Sequence, residues 1–158
     1  MEEPREEIVI DVQPSFPISR AFIAVATAWI VAQLIKIVGN SLRFRRFNFR
    51  WLLDTGGMPS AHSSGTAAVA TVVGLHSGFN SILFLLALAF AVVTMFDAAG
   101  VRRSVGKQSV ILNKMMNEIY AGGKFPEQRL REFLGHTPVE VFVGALLGIS
   151  LSLAICKW

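Results

Sequence analysis

The chain has 158 residues, which is the size of one domain. Hydrophobic residues make up 53% of it and charged residues 16%, with a mean hydropathy of +0.52 and a net charge of +4. Soluble domains carry roughly 25% charged residues, so the composition predicts a membrane protein, and a soluble bundle of buried helices is the alternative. The single cysteine, Cys156, excludes an intramolecular disulfide.

The predicted elements form an all-α integral membrane bundle. Residues 1–17 are acidic and predict an exposed N-terminal tail, followed by one domain over 18–158. Runs without formal charge predict four membrane helices at about 18–38, 60–76, 80–96 and 138–156. Gln108 to Tyr120 predicts a cytoplasmic amphipathic helix. Ala121 to Glu127, with two glycines and a proline, predicts a flexible loop able to cover a site.

Basic residues are distributed unequally between the two predicted membrane faces. The segments at 39–59 and 97–137 carry eleven lysines and arginines, whereas the termini and the turn at 77–81 carry three. Cytoplasmic loops of membrane proteins are enriched in Lys and Arg, so we expect both basic segments on the cytoplasmic side. Aromatic residues interleave with the first of them, which favours a partner of anionic lipid over nucleic acid.

The stretch from Gly56 to Gly65 is a small-residue turn that carries one imidazole and leads into an apolar helix. Pro59 suits the first helical position, which would place Ser60 and His62 in the opening turn. The amides and the dipole at a helix N-terminus attract a phosphate group. A plain helix start with a hydrated serine cap is the alternative interpretation.

His136 lies just before the last predicted helix. Thr137 and Glu140 have the spacing of a capping box, with Pro138 at the first helical position. Glu140 therefore has a structural explanation beside a catalytic one. Capping needs no imidazole, and a carboxylate one turn after a histidine can hold its ring in one tautomer and raise its basicity. We therefore expect a functional role for His136.

The topology brings polar groups of four segments to one membrane face. They are Lys36 with Arg43, Pro59 to His62, Asp97 to Arg103, and His136 to Glu140. Charges at the ends of membrane helices, such as those of Lys36 and Asp97, are costly and often functional. For most of the arginines, flanking charge that sets the orientation of the helices is the favoured alternative. Asp97 has two interpretations: an ion pair with Arg102 or Arg103, or a place beside His62, His136 and Glu140 around a divalent metal. The ligand spacing is irregular, so the ion pair is favoured and no metal is expected.

Three motifs in this order resemble those of the type 2 phosphatidic acid phosphatase family, which includes lipid phosphate phosphatases, bacterial acid phosphatases and vanadium-dependent haloperoxidases. They are Lys36 followed by Arg43, Pro59-Ser60-Ala61-His62, and His136 followed four positions on by Glu140. The fuller stretches Gly56 to His62, Asp97 to Gln108 and Leu134 to Glu140 are similar to the divergent membrane branch of that family. The resemblance runs from about Gln33 to Gly148.

The resemblance implies that His136 attacks phosphorus and forms a phosphohistidine. Glu140 would orient His136, and His62 would protonate the leaving oxygen. The expected phosphate ligands are Lys36, Arg43, Ser60, the backbone of Ala61, and Arg131, which flanks Leu130 at the position of a family arginine. Arg102 and Arg103, with Asp97, are expected to support the site, and no cofactor is expected.

The expected function is that of a metal-independent membrane phosphatase acting on a lipid phosphate or prenyl diphosphate at the cytoplasmic leaflet. One alternative is a non-catalytic membrane protein that binds anionic or phosphorylated lipid through the same basic face. A second alternative is a small transporter or channel component, which the membrane-end carboxylate of Asp97 permits. We also expect a homodimer, because four short helices leave the site half open.

Overall fold

A computed structural model describes residues 16–45, 57–119 and 135–157, without the side chains of Arg43, Phe44, Arg102 and Ile119. The described chain is all-α, and none of it forms a strand, which confirms the predicted fold class. The helices are α1 (Ile18–Phe44), α2 (Ala61–Ser77), α3 (Ile82–Phe96), α4 (Arg102–Ile119) and α5 (Pro138–Lys157), and a π-helical turn (Asp97–Val101) joins α3 to α4. The predicted loop at 121–127, Arg131 and most of the predicted N-terminal tail lie outside the described residues.

Three stretches of helix are long and apolar enough to cross a membrane. They are Ile18–Leu42 within α1, Ile82–Glu118 through α3 and α4, and Pro138–Lys157 in α5. The fourth predicted span, α2, has 17 residues and a length of about 25 Å, somewhat less than the ~30 Å hydrocarbon core of a bilayer. It packs against α1, α3 and α5 and is therefore the central helix of the bundle.

Small side chains fill the centre of the bundle, and large apolar side chains cover its outside. The largest fully buried side chains of the described chain are those of Ser60, Ser63, Ser64 and Ser152, accompanied by buried alanines on α1, α2 and α3. Phe22 and Ile82, by contrast, are 74% and 85% exposed. Soluble proteins bury such residues, whereas membrane helices pack through small residues and turn large ones toward lipid. The arrangement is that of a membrane bundle.

Two glycines of α5 lie directly against the start of α2. A β-carbon at Gly144 would collide with the carbonyl oxygen of Ser60, and one at Gly148 with that of Ser64. The four-residue spacing puts both glycines on one face of α5, as in other close contacts between membrane helices. On another side of α2, the hydroxyl of Ser64 donates to the carbonyl of Ala28 in α1 at 2.9 Å. Helix α2 is thus held close to both neighbours.

The helix boundaries differ from prediction in three places. Helix α1 continues beyond residue 38 to Phe44, and its C-cap is Arg45, whose φ is +49°. Gly39 does not end the helix, because one glycine within a helix costs only about 1 kcal/mol. The prediction of Pro59 at the first helical position is wrong, since Ser60 is the N-cap and α2 begins at Ala61. The amphipathic helix begins at Arg102 rather than 108, because the π-helical turn carries the chain on from α3 without a break.

Candidate active site

Four segments meet at the end of the bundle where α1 and α3 end and α2 and α5 begin. The backbone N–H of Ser60 donates to the carbonyl of Glu140 at 3.1 Å, which ties the start of α2 to the first turn of α5. The N–H of His136 donates to the carbonyl of Ala98 at 3.1 Å, which ties the start of α5 to the π-helical turn. Backbone hydrogen bonds therefore fix the segments that carry both candidate histidines.

Lys36 lies in the last third of α1 and is only 2% exposed. Its Nζ donates to Oε1 of Gln33, one turn earlier, at 3.0 Å. Gly57, with a φ of +94°, lies over the lysine stem so closely that a β-carbon on it would sit 3.3 Å from Cγ of Lys36. The side chain of Lys36 is therefore packed inside the end of the bundle and is not a solvated flanking charge. The turn before α2 and the end of α1 thus form one packed unit.

Gln33 belongs to this site, although sequence reasoning did not include it among the candidates. It is buried, and it holds the ammonium group of Lys36. The signal available in the sequence was a polar residue three positions before Lys36 on the same helix, because such residues are neighbours on a helix surface.

His136 is 3% exposed and its ring is held by Glu140. Nδ1 of His136 lies 3.0 Å from Oε2 of Glu140. The same carboxylate oxygen accepts the N–H of Thr137 at 3.0 Å, and the N–H of Glu140 donates to Oγ1 of Thr137 at 3.3 Å, which confirms the predicted capping box. A carboxylate accepts hydrogen bonds, so this contact favours the tautomer of a neutral His136 ring in which Nδ1 carries the proton.

Ser60 caps α2 with its side chain. Its buried Oγ accepts the N–H of Ser63 at 3.3 Å and the hydroxyl of Ser63 at 3.0 Å, while its carbonyl accepts the N–H of Ser64 at 3.0 Å. The serine hydroxyl therefore has the structural role that the plain helix start implies. The amides of Ala61 and His62 belong to the first helical turn, whose N–H groups point out of the terminus at its positive end. The side chain of His62 is exposed.

The other candidate residues, Asp97 and the arginines, have fewer contacts that the structure describes. Asp97 is half-buried at the start of the π-helical turn, and its N–H donates to the carbonyls of Thr94 and Val93. Arg103 is half-buried in the first turn of α4. The ion pair of Asp97 with an arginine stays a prediction, and the side chains of Arg43, Arg102 and Arg131 lie outside the described part of the chain.

The alternative of a metal site finds no support in the described ranges. Within them, no group of three or more His, Cys, Asp or Glu side chains is placed to hold a metal ion. Asp97, His62, His136 and Glu140 all lie in these ranges.

Comparison with known proteins gives a family match and one relative. Residues 18–151 match the family described as "Divergent PAP2 family". A protein of Bacillus subtilis (strain 168), called "Uncharacterized membrane protein YuiD", is 40% identical, in an alignment that covers 89% of this chain and 94% of that protein. No solved structure gives a significant match. The matched range includes Lys36, His62, His136 and Glu140.

Proposed function

The chain belongs to the Divergent PAP2 family, and from this premise we propose that it is a membrane phosphatase that hydrolyses a lipid phosphate or prenyl diphosphate through a phosphohistidine on His136. The observation that carries the proposal is the 3.0 Å contact between Nδ1 of His136 and Oε2 of Glu140. It orients a buried imidazole at the end of the bundle where α2 begins. An imidazole oriented by a carboxylate has the chemistry of a nucleophile.

In the first step, the Nε2 lone pair of His136 forms a bond to phosphorus. The bond between phosphorus and the leaving oxygen breaks, and the oxygen takes the electron pair. His62 gives this oxygen a proton, so that an alcohol leaves from a phosphate ester, or a lipid phosphate from a diphosphate. Glu140 stabilises the positive charge that develops on the His136 ring.

In the second step, water restores the enzyme. His62, now neutral, takes a proton from a water molecule whose oxygen attacks phosphorus. The bond between phosphorus and Nε2 breaks and returns its electron pair to His136, and inorganic phosphate leaves. The same histidine thus acts first as an acid and then as a base.

Charge on the transferred phosphoryl group needs donors in both steps. The buried ammonium of Lys36 and the first-turn amides of Ala61 and His62 supply them at one end of the bundle. Arg43 and Arg131 are proposed as further ligands, supported by Arg103, Arg102 and Asp97. The hydroxyl of Ser60 supports the site by capping α2.

The proposed location of this site is the cytoplasmic membrane surface. It lies at the end of the bundle from which the chain enters both basic segments. The excess of Lys and Arg in those segments supports a cytoplasmic orientation.

The test is phosphate release by detergent-purified protein from lipid phosphates and prenyl diphosphates, with and without chelator. Replacement of His136 by alanine is expected to reduce release to the background rate, since it removes the nucleophile. Replacement of His62 by alanine is expected to slow release from an alkyl phosphate by roughly 10²–10⁴-fold. The aryl oxide of an aryl phosphate can leave without protonation, so the first step with this substrate, measured as first-turnover release of the aryl oxide, should be slowed far less in the His62 variant.

Thermal unfolding of both variants provides the control for folding. Turnover that persists in a folded His136→Ala protein would contradict the nucleophile assignment. Equal losses in the first-turnover release of the leaving group from alkyl and aryl phosphates by the His62 variant would contradict the general-acid assignment.

A non-catalytic lipid-binding protein is the second candidate, and α4 is the observation that favours it. Lys107 and Lys114 are exposed on this helix, and so are the apolar side chains of Val105, Leu112 and Met115. Basic amphipathic helices bind anionic membrane surfaces. This candidate predicts binding to anionic vesicles that survives both histidine substitutions, together with no phosphate release by the unmodified protein.

A further inference from the structure

An apolar groove of about 730 Å³ lies between α1, α2 and α3. Val69 and Val73 of α2 contribute to its floor, Phe22 of α1 lines one side, and Leu86 and Phe90 of α3 line the other. Phe22, Leu86 and Phe90 are exposed, so the groove opens on the outer surface of a bundle that lies in lipid. Its volume is in the range of roughly 300–1,000 Å³ that holds one small molecule.

The groove shares a face of α2 with His62. Val69, Val73 and His76, which line the groove, follow His62 by seven, eleven and fourteen residues, each close to a whole number of helical turns. The groove thus begins about 10 Å from His62 along the helix axis and continues to about 21 Å. The exposed imidazole of His62 and the apolar groove therefore lie along the same face of α2.

The proposed reaction places the leaving group of the substrate on the side of His62 that the groove follows. A general acid must reach the leaving oxygen, so the leaving group lies on the side of His62, away from His136. In a lipid phosphate or prenyl diphosphate, that leaving group carries the apolar chain. We propose that the groove binds this chain, so that the substrate is a phosphate or diphosphate ester with a single long apolar tail. The inference rests on the proposed function and adds the tail site to it.

The groove explains how such a substrate is selected. Van der Waals packing against the walls of the groove stabilises the bound tail relative to mobile lipid, while the head group is held by the donors at the start of α2. A short soluble ester has the same head group and no tail to place in the groove. Recognition of the tail should therefore appear in the KM for long substrates alone.

The experiment compares two neighbouring leucines of α3. Leu86 lines the groove and is 68% exposed, whereas Leu85 is 64% exposed and does not line it. Replacement of Leu86 by tryptophan fills the groove and should raise the KM for a long-chain isoprenyl diphosphate about tenfold, equivalent to ~1.4 kcal/mol. The KM for a short, water-soluble isoprenyl diphosphate should stay unchanged. Leu85→Trp should change neither value.

Equal effects of the two tryptophans, or equal effects of Leu86→Trp on the two substrates, would overturn the tail site while leaving the phosphatase proposal in place. Absence of phosphate release from both substrates by the unmodified protein would overturn both proposals.

A second measurement does not depend on turnover. The His136→Ala protein is labelled with a long-chain lipid phosphate that carries a photoactivatable group at the end of its tail. Adducts on the peptides around Val73 and Leu86, displaced by unlabelled long-chain substrate, are expected. Adducts spread over all outward-facing helices would indicate bulk lipid in the groove, and covalent dimers through groove residues would indicate a second copy of the chain. Either result would overturn the proposal.

Discussion

The two sides of α2 differ in how closely they pack against their neighbours. Toward α5, Gly144 and Gly148 approach the backbone of Ser60 and Ser64 so closely that a methyl group does not fit between them. Toward α1 and α3, valines of α2 face an open apolar groove of about 730 Å³. One helix therefore has a closed side without space and an open side with space for a ligand.

The two sides of α2 therefore suit different tasks: the closed side holds the starts of α2 and α5 in place, and the open side has space for a ligand. Small shifts between reacting groups cost large factors in rate, and the closed contact prevents α2 from moving along α5. It therefore fixes the starts of the two helices, which carry His62 and His136, relative to each other. The proposed tail site lies on the open side, where an apolar chain can vary in shape without disturbing the contact between α2 and α5.

The largest loss of stability is expected when a side chain is added on the closed side of α2. In Gly148→Val, the new β-carbon meets the backbone of Ser64, which cannot rotate away as a side chain can. We expect a loss of about 3 kcal/mol or more in the free energy of unfolding, measured by thermal unfolding and size-exclusion chromatography in detergent. The matched control is Gly39→Ala, since a β-carbon at Gly39 meets nothing within 4 Å; it should stabilise α1 by up to about 1 kcal/mol. Equal stability of the two variants would refute the closed contact.

A smaller change separates capping from catalysis at the start of α5. In Glu140→Gln, the side chain can still accept the N–H of Thr137, but it no longer carries the negative charge beside His136. We expect a loss of activity on the order of 10²-fold with little change in thermal unfolding. Thr137→Ala should show the opposite pattern, with stability lower by about 1 kcal/mol from the lost cap and activity retained. Parallel losses in both variants would leave Glu140 with a capping role only.

The smallest expected effect sharpens the comparison on the side of α2 that faces α1. Ser64→Ala removes the hydrogen bond from Oγ to the carbonyl of Ala28. That carbonyl keeps its place in the α1 hydrogen-bond ladder, so we expect a loss of about 0.5–1 kcal/mol in unfolding free energy and normal phosphate release. Ser109→Ala, which removes an exposed hydrogen bond within α4, is the control and should be close to neutral. A strong loss of activity in Ser64→Ala would show that the α1 contact also positions the site.

Local signals predicted the start of α5 well. Thr137, Pro138 and Glu140 stand within four residues, and each acts through hydrogen bonds or dihedral limits of the same turn. The all-α membrane fold and the family were likewise predictable, because composition and linked motifs determine them. The roles assigned to His62, His136 and Lys36 stay predictions.

Other features depend on contacts that a single sequence does not reveal. The spacing of Gly144 and Gly148 indicates a close helix contact, but it does not say that the partner is α2. The predicted position of Pro59 is two residues too far along the helix, because Ser60 is tied to Glu140 and takes the cap, and Ala61 is the first helical residue. The groove was not predictable, since it depends on how the three consecutive helices α1, α2 and α3 pack against one another.

The central claim is that phosphorus is transferred to His136, and trapping the intermediate tests it most directly. Purified protein is mixed with a substrate carrying radiolabelled phosphorus, quenched in alkali, and digested for peptide mapping. The account predicts an acid-labile, alkali-stable label on the peptide that contains His136, absent from the His136→Ala protein and longer-lived in the His62→Ala protein. Turnover by the unmodified protein with the label on another residue, or full turnover by His136→Ala, would contradict it.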